Sequence, residues 1–276
     1  MEITFTKMHG LGNDFVVLDC IKQDFGLTSG QIKSLGDRHF GIGFDQLLVL
    51  GPPKSGKADV SYHIYNNDGG EVSQCGNGAR CIAAYLYEKG IIRKDEIIAE
   101  TGEGLLKLYH QNDGQIRVNM GIPRLEPAEI PMKAEHRKSI YKLFLNHNEI
   151  EFRAVSMGNP HVVMEVMDTN TAPVQELAPK IQQQDIFPEG VNVGFMQILD
   201  NEHIRLRVYE RGAGETLACG SGACAAVVAG NLAEKLANEV DVTLPGGHLL
   251  VSWEGEGKPV WITGPAEFVF EGRITL

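Results

Sequence analysis

Apolar residues along this chain recur mostly at every second position, over short stretches. Ile3/Phe5, Ile116/Val118/Met120, Ile204/Leu206/Val208, Val240/Val242/Leu244, Val251/Trp253 and Phe268/Phe270 mark such runs. Successive side chains on an extended backbone point to opposite faces, so this period predicts strands with one buried face. A helical period is rarer. Its clearest instance runs from about Gly78 to Lys89, with Ala79, Ile82, Ala83 and Leu86 on one face and Gly90 where a C-terminal cap belongs. A second stretch, from Ala225-Ala226-Val227-Val228-Ala229 to Leu236, is apolar nearly all round and predicts a helix enclosed by other structure.

The pattern repeats. Gly12-Asn13-Asp14-Phe15-Val16-Val17-Leu18-Asp19 matches Gly158-Asn159-Pro160-His161-Val162-Val163-Met164-Glu165, and Cys75-Gly76-Asn77-Gly78-Ala79 matches Cys219-Gly220-Ser221-Gly222-Ala223. Gly43-Phe44-Asp45-Gln46 aligns loosely with Glu189-Gly190-Val191-Asn192, and His63-Ile64-Tyr65-Asn66 with Arg207-Val208-Tyr209-Glu210. Four matches in one order at nearly one offset indicate duplication, with a period too long for a solenoid. The expected class is α+β: two similar halves, each with many strands around one buried helix. A pseudo-twofold axis would make equivalent segments face one another across a cleft.

Composition narrows the function classes. Hydrophobic residues make up 43% of the 276, enough to bury a core, and charged residues 22%. The formal net charge of −11 disfavours binding to a phosphate backbone. No apolar run reaches membrane-span length. Met1-Glu2-Ile3-Thr4-Phe5 lacks a basic start followed by an apolar stretch, so a cytoplasmic setting is expected. Five cysteines (Cys20, Cys75, Cys81, Cys219, Cys224) are then expected to be reduced, and an odd number argues against a disulfide framework.

Both halves read strand, turn, Cys-Gly-X-Gly, helix. A helix N-terminus exposes unpaired N–H groups and partial positive charge, which bind an anion and lower the pKa of a nearby thiol. Two such ends facing one another would grip one carboxylate and place a sulfur on each side of the adjacent carbon. That arrangement suits inversion at an amino-acid α-carbon. One thiolate removes the proton, the opposite thiol returns one, and the N–H dipoles stabilise the charge gathering on the carboxylate. Two close thiolates repel, so only one should be ionised at a time.

Plainer readings compete. A cysteine is most often a small buried hydrophobe, which is the expectation for Cys20, Cys81 and Cys224. A four-cysteine zinc site would use Cys75-x5-Cys81 and Cys219-x4-Cys224, but these spacings put the second thiol well off the face of the first, and no metal is expected. Gly51-Pro52-Pro53-Lys54-Ser55-Gly56-Lys57-Ala58 imitates a P-loop with Ala58 where Ser or Thr is required. Val60-Ser61-Tyr62-His63-Ile64 then reads as a strand, so the segment is taken as an exposed turn.

The sequence resembles the diaminopimelate epimerases over nearly its whole length. The resemblance rests on Lys7-Met8-His9-Gly10-Leu11-Gly12-Asn13-Asp14-Phe15, Asn66-Asn67-Asp68-Gly69, Gln74-Cys75-Gly76-Asn77-Gly78-Ala79-Arg80-Cys81, Gly158-Asn159-Pro160-His161, and Glu210-Arg211-Gly212-Ala213-Gly214-Glu215-Thr216 with Ala218-Cys219-Gly220-Ser221-Gly222. It departs at Asn67, where a small residue is usual, and at Phe270, near a tyrosine that some members place in a dimer contact. The resemblance implies two pseudo-symmetric domains, each a strand-rich, barrel-like sheet around a central buried helix, with the C-terminal strand returning to the first domain, so that the expected boundaries are 1–119 plus 265–276 and 120–264. It implies interconversion of LL- and meso-diaminopimelate without a cofactor, in a homodimer. It implies Cys75 and Cys219 as the acid/base pair, and Gly76, Asn77, Gly220 and Ser221 around the reacting carboxylate. Asn13, Gln46, Asn66, Asn159, Asn192, Glu210 and Arg211 would line the substrate site, with His161 and Glu210 tuning the cysteines.

The residue chemistry agrees with a substrate that has a second amino-acid centre. A guanidinium forks onto a carboxylate, and Glu210 and asparagine carbonyls accept from an ammonium. A proline or hydroxyproline racemase would also use two cysteines, yet Glu210-Arg211, expected as a buried charged pair, has no second ionic head group to serve there. A thiol hydrolase using Cys75 and His161 leaves Cys219 unexplained. A regulatory disulfide and a non-catalytic amino-acid binding module are the remaining alternatives.

Overall fold

A computed structural model describes residues 2–21, 26–72, 76–102, 104–145 and 148–276. The chain divides into two compact units, Met1–Asn119 with Thr263–Leu276, and Met120–Ile262. The first contains β1 (Glu2–Gly10), β2 (Asn13–Asp19), α1 (Ser29–Gly36), β3 (Gln46–Gly51), β4 (Val60–Asn66), β5 (Glu71–Val72), α2 (Gly76–Glu88), β6 (Glu96–Thr101), β7 (Gly104–His110) and β8 (Ile116–Asn119). β1 runs antiparallel to β2, β2 parallel to β3, and β3 antiparallel to β4. β4 then pairs antiparallel with β5 and parallel with β6, and β6–β7–β8 form an antiparallel meander.

The second unit starts with β9 (Tyr141–Leu145) and then repeats that order: β10 (Asn148–Ser156), β11 (Pro160–Glu165), α3 (Val174–Gln182), β12 (Asn192–Ile198), β13 (His203–Glu210), β14 (Gly214–Thr216), α4 (Gly220–Leu232), β15 (Glu239–Leu244), β16 (Gly247–Trp253) and the first three residues of β17 (Val260–Gly264). From β10 to β16 the strand directions match those of β1 to β7. The class is therefore α+β with two pseudo-symmetric domains. Each unit also gains one outer strand. β9 lies antiparallel on β10, and the C-terminal β18 (Glu267–Thr275) returns to the first unit, antiparallel to β1.

The helix after each Cys-Gly-X-Gly is the centre of its unit. α2 buries Asn77 through Leu86, and α4 buries Gly220 and Gly222 through Gly230. Small side chains on every face of α4 let strands approach from all sides. α2 begins two residues earlier than its apolar period suggested, because glycines and Asn77 carry no periodic signal. It ends on a Schellman motif: Gly90 takes φ +65°, its N–H reaches Tyr87 O, and Ile91 N–H reaches Leu86 O. α4 ends the same way, but Glu234 occupies the left-handed position at φ +58°.

Most alternating runs are strands with one buried face. Phe268 and Phe270 are the exception: they lie on β18 but are 41% and 50% exposed, as is Val269 between them at 54%. The segment from Gly51 to Ala58 is a turn leading into β4, with no helix after it. Cys81 and Cys224 are fully buried in α2 and α4, as small core residues, and Cys20 is half-buried.

Candidate active site

In the second unit, Cys219 is the N-cap of α4, with an extended backbone and its carbonyl accepting the Ala223 N–H. Its Sγ–H donates to Glu210 Oε2 at 3.1 Å, and Ser221 Oγ lies 3.7 Å from the sulfur. Glu210 ends β13, and its other oxygen, Oε1, accepts from Thr216 Oγ1 at 2.6 Å. Gly222 is required here by space: a Cβ would lie 3.0 Å from Val208 Cγ2 and 3.2 Å from Sγ. Burial pushes the Cys219 thiol well above its ordinary value, and the Glu210 carboxylate pushes the same way. The hydrogen bonds from Ser221 and the Gly222 N–H oppose this and lose. The sequence-based expectation of a thiol lowered by the helix N-terminus is therefore corrected for Cys219: at 3% exposure, desolvation and a neighbouring anion outweigh the dipole.

His161, on β11, reaches the cysteine only through Ser221. Its Nε2 lies 3.1 Å from Ser221 Oγ and 3.0 Å from Asn159 Oδ1, and Asn159 Nδ2 donates to Ser221 Oγ at 3.4 Å. An amide oxygen can only accept, which places the ring proton on Nε2. The ring is buried, and burial, followed by the charge of Arg211, holds its pKa down to about 3. Asn192, at the start of β12, braces two backbones. Its Oδ1 accepts the Arg211 N–H at 2.8 Å and its Nδ2 donates to Pro160 O at 3.3 Å. Arg211 lies exposed in the β13–β14 turn, with NH1 on Glu189 O at 2.5 Å. Glu210 and Arg211 are thus not a buried ion pair: the carboxylate belongs to Cys219 and Thr216, and the guanidinium faces solvent.

In the first unit, Cys75 lies outside the described residues. Gly76 opens α2, and Asn77 is buried in its first turn, donating to Asn13 Oδ1 at 3.2 Å. Asn13 donates in turn to Asp45 Oδ2 at 3.0 Å. Gln46 Nε2 donates to Asn66 Oδ1 at 3.0 Å, while Gln46 Oε1 is buried without a partner among the described residues. Two sets of charges that the sequence reading assigned no role hold these amides. Arg80 is fully buried in α2, with NH2 on Asn77 Oδ1 at 2.9 Å and Nε on Pro265 O at 3.0 Å. Asp14 joins Arg38 through two bonds (2.7 and 3.1 Å) and Lys7 through a third, and Arg38 also bonds Asp45 at 2.7 Å. Burial pulls the Asp14 carboxyl upward, but the bonds from Arg38 and Lys7 outweigh it and hold it well below the usual carboxylate range. A charged residue inside an otherwise apolar helix was the legible signal for Arg80. Asp45 carried none beyond its place in the repeat.

Comparison with known proteins agrees with the motif resemblance. Residues 5–126 and 153–269 match the family model of diaminopimelate epimerase. A diaminopimelate epimerase of Nitrosomonas europaea is 54% identical over 276 residues, covering all of both chains. Among solved structures, a PhzF-family phenazine biosynthesis protein of Bacillus anthracis has TM-score 0.70 at 18% identity, with both chains fully covered. A hydroxyproline epimerase of Agrobacterium vitis has TM-score 0.70 at 17% identity, covering 99% of this chain and 92% of that one. These two show a shared fold.

Proposed function

Because the chain belongs to the diaminopimelate epimerase family, we propose that it interconverts LL- and meso-diaminopimelate with Cys75 and Cys219 as the acid and base. The observation that carries this reading is the thiol of Cys219 at the N-terminus of a buried helix, donating to Glu210. Such a thiol rests protonated and is ready to deliver a proton to a planar carbanion. In the other direction the Cys219 thiolate takes the α-proton, and Glu210 accepts the hydrogen bond of the thiol so formed. Cys75, at the matching motif position, serves the opposite face of the α-carbon.

The reacting carboxylate is held by the N–H groups at the starts of α2 and α4, around Gly76, Asn77, Gly220 and Ser221. No intrahelical acceptor exists for the first N–H groups of a helix. They would stabilise the charge that develops as the α-proton leaves. The second amino-acid centre is recognised by Arg211, Asn13, Gln46, Asn66, Asn159 and Asn192. Gln46 Oε1, which has no partner among the described residues, supports this, since a buried acceptor gains most from an ammonium N–H. His161 and Glu210 set the environment of the thiols. A hydrolase using His161 as its base is disfavoured, because that ring is buried and resists protonation down to about 3.

No cofactor is needed in this scheme, because the thiols supply both acid and base. The reaction serves lysine and peptidoglycan-precursor synthesis, and a cytoplasmic setting, where thiols stay reduced, suits the scheme. No helix among the described residues is long and apolar enough to cross a membrane. A homodimer is supported by the exposed Phe268, Val269 and Phe270 on β18, an apolar strip that a second copy would cover.

The test is isotopic. Cys75→Ala and Cys219→Ala are incubated in D₂O with each stereoisomer. Each should lose epimerisation in both directions and retain slow α-hydrogen exchange from one isomer only, with opposite preferences. Near wild-type epimerisation by Cys219→Ala would refute the two-base mechanism. Exchange of the same isomer by both variants would refute the opposed faces.

A further inference from the structure

The β13–β14 hairpin carries two polar pairs, one on each face. The register sets Val208 opposite Thr216, Tyr209 opposite Glu215 and Glu210 opposite Gly214. Thr216 is therefore the diagonal neighbour of Glu210 on one face, and Glu215 that of Arg207 on the other. On the second face, Arg207 grips Glu215 with Nε at 2.6 Å and NH2 at 3.0 Å, sends NH1 to Thr169 O at 2.7 Å, and Gln175 adds a bond to Glu215 at 2.6 Å. That clamp fixes the hairpin to the rest of its unit. On the first face, the Thr216 hydroxyl takes one carboxylate oxygen of Glu210 and leaves the other on Cys219 Sγ.

The duplication provides an internal comparison. In the first unit the register is the same, with Ile64 opposite Val72 and Tyr65 opposite Glu71. The clamp survives there as His63 on Glu71 at 2.6 Å. The other pair does not: Asn66 stands for Glu210 and Val72 for Thr216. Carboxylate and hydroxyl occur together or are both absent. A carboxylate on a short strand end has free rotation about its terminal bonds, and only a donor on its far oxygen fixes which way it faces.

We propose that Thr216 is a positioning residue for the epimerisation, its hydroxyl holding the Glu210 carboxylate aimed at the Cys219 thiol. This rests on Cys219 acting as an acid/base residue. Without the hydroxyl, the carboxylate swings off the sulfur, and the thiol loses the acceptor that orients its proton.

The test uses the full chain with Thr216→Val, which installs the residue found at the matching site of the first unit, and Thr216→Ser, which keeps the hydroxyl. The loss of a hydrogen bond to a charged group should lower kcat roughly tenfold or more in the Val variant, with KM and melting temperature near wild type. The Ser variant should recover to within about twofold of wild type. Peptide-resolved alkylation of Cys219 should accelerate in the Val variant, since the anion that raises the thiol has moved away, while Cys224, fully buried, stays unreactive and reports an intact fold. A kcat in the Val variant within twofold of wild type, or equal losses in Val and Ser, would overturn the proposal. Unchanged Cys219 alkylation would overturn it as well. Cys219→Ala run in parallel separates the two ideas: if that variant epimerises, the acid/base reading fails, whereas the alkylation ratio judges the aiming without any turnover.

Discussion

Replacing His161 should make the protein less sensitive to acid. The ring is about 1% exposed, and its folded-state pKa is about 3 against an ordinary 6.5. A depressed histidine is neutral in the fold and free to protonate when unfolded. Between these two values the unfolded chain holds more protons, so stability falls as pH falls through that window. Above pH 6.5 the residue contributes no pH dependence. At pH 4.5 the linkage amounts to two units, or about 3 kcal/mol. That is a large share of the 5–15 kcal/mol typical of a folded domain. His161→Gln keeps an amide that can donate to Ser221 or Asn159 but cannot titrate. Denaturant titrations of both proteins at pH 7.5 and 4.5 give the comparison. The variant should lose about 3 kcal/mol less than wild type between the two pH values, whatever its stability at pH 7.5. Parallel losses would refute the claim that His161 is buried neutral.

Two further outcomes are expected. Glu234→Gly should stabilise the second unit by about 1 kcal/mol, seen as a melting temperature higher by roughly 2–4 °C, because glycine takes the left-handed C′ position without a Cβ penalty and removes an anion from a helix C-terminus; an unchanged or lower value would show that the turn is not strained. Arg211→Ala should raise KM roughly tenfold while changing kcat less, the lower end of what a lost charged hydrogen bond gives, since the guanidinium is exposed before substrate arrives; an unchanged kcat/KM would show that Arg211 does not touch substrate.

Much of this was legible in the sequence because duplication writes each element twice. The matched Gly-Asn and Cys-Gly-X-Gly segments located the β1–β2 and β10–β11 turns and both buried helices, even where periodicity alone was weak. α1 escaped notice although Thr28 and Gln31 form a complete capping box, because eight residues hold too few apolar positions to show a period. β2, β3 and β11 are buried on both faces and read as continuous apolar runs rather than alternation. Phe268 and Phe270 alternate like a core strand yet face solvent, since a period of two says which residues share a face and not which face is covered. At the site, residue types were visible but contacts were not. Glu210 and Arg211 are adjacent in sequence, yet the carboxylate turns to Cys219 while the guanidinium is exposed, so the expected buried charged pair is only half buried. Thr216 lies six residues from Glu210, and only the hairpin register brings them together.

The same register shows where the two copies of the hairpin diverge. Both units keep what builds the helix start: the Gly-Asn turn, the Cys-Gly-X-Gly segment, and a clamp between β4 and β5 or β13 and β14. These residues fix backbone, and a change in either copy would cost packing. The positions that differ share one face of each hairpin: Asn66 and Val72 in one copy, Glu210 and Thr216 in the other. Asn66 is occupied by Gln46, an amide pair without charge, whereas Glu210 brings an anion to the Cys219 thiol. An anion beside a buried thiol favours keeping the proton, and a neutral amide exerts no such pull. Divergence at two hairpin positions thus gives the Cys219 thiol an anionic neighbour, and neither Glu210 nor Thr216 belongs to the core cluster of the second unit.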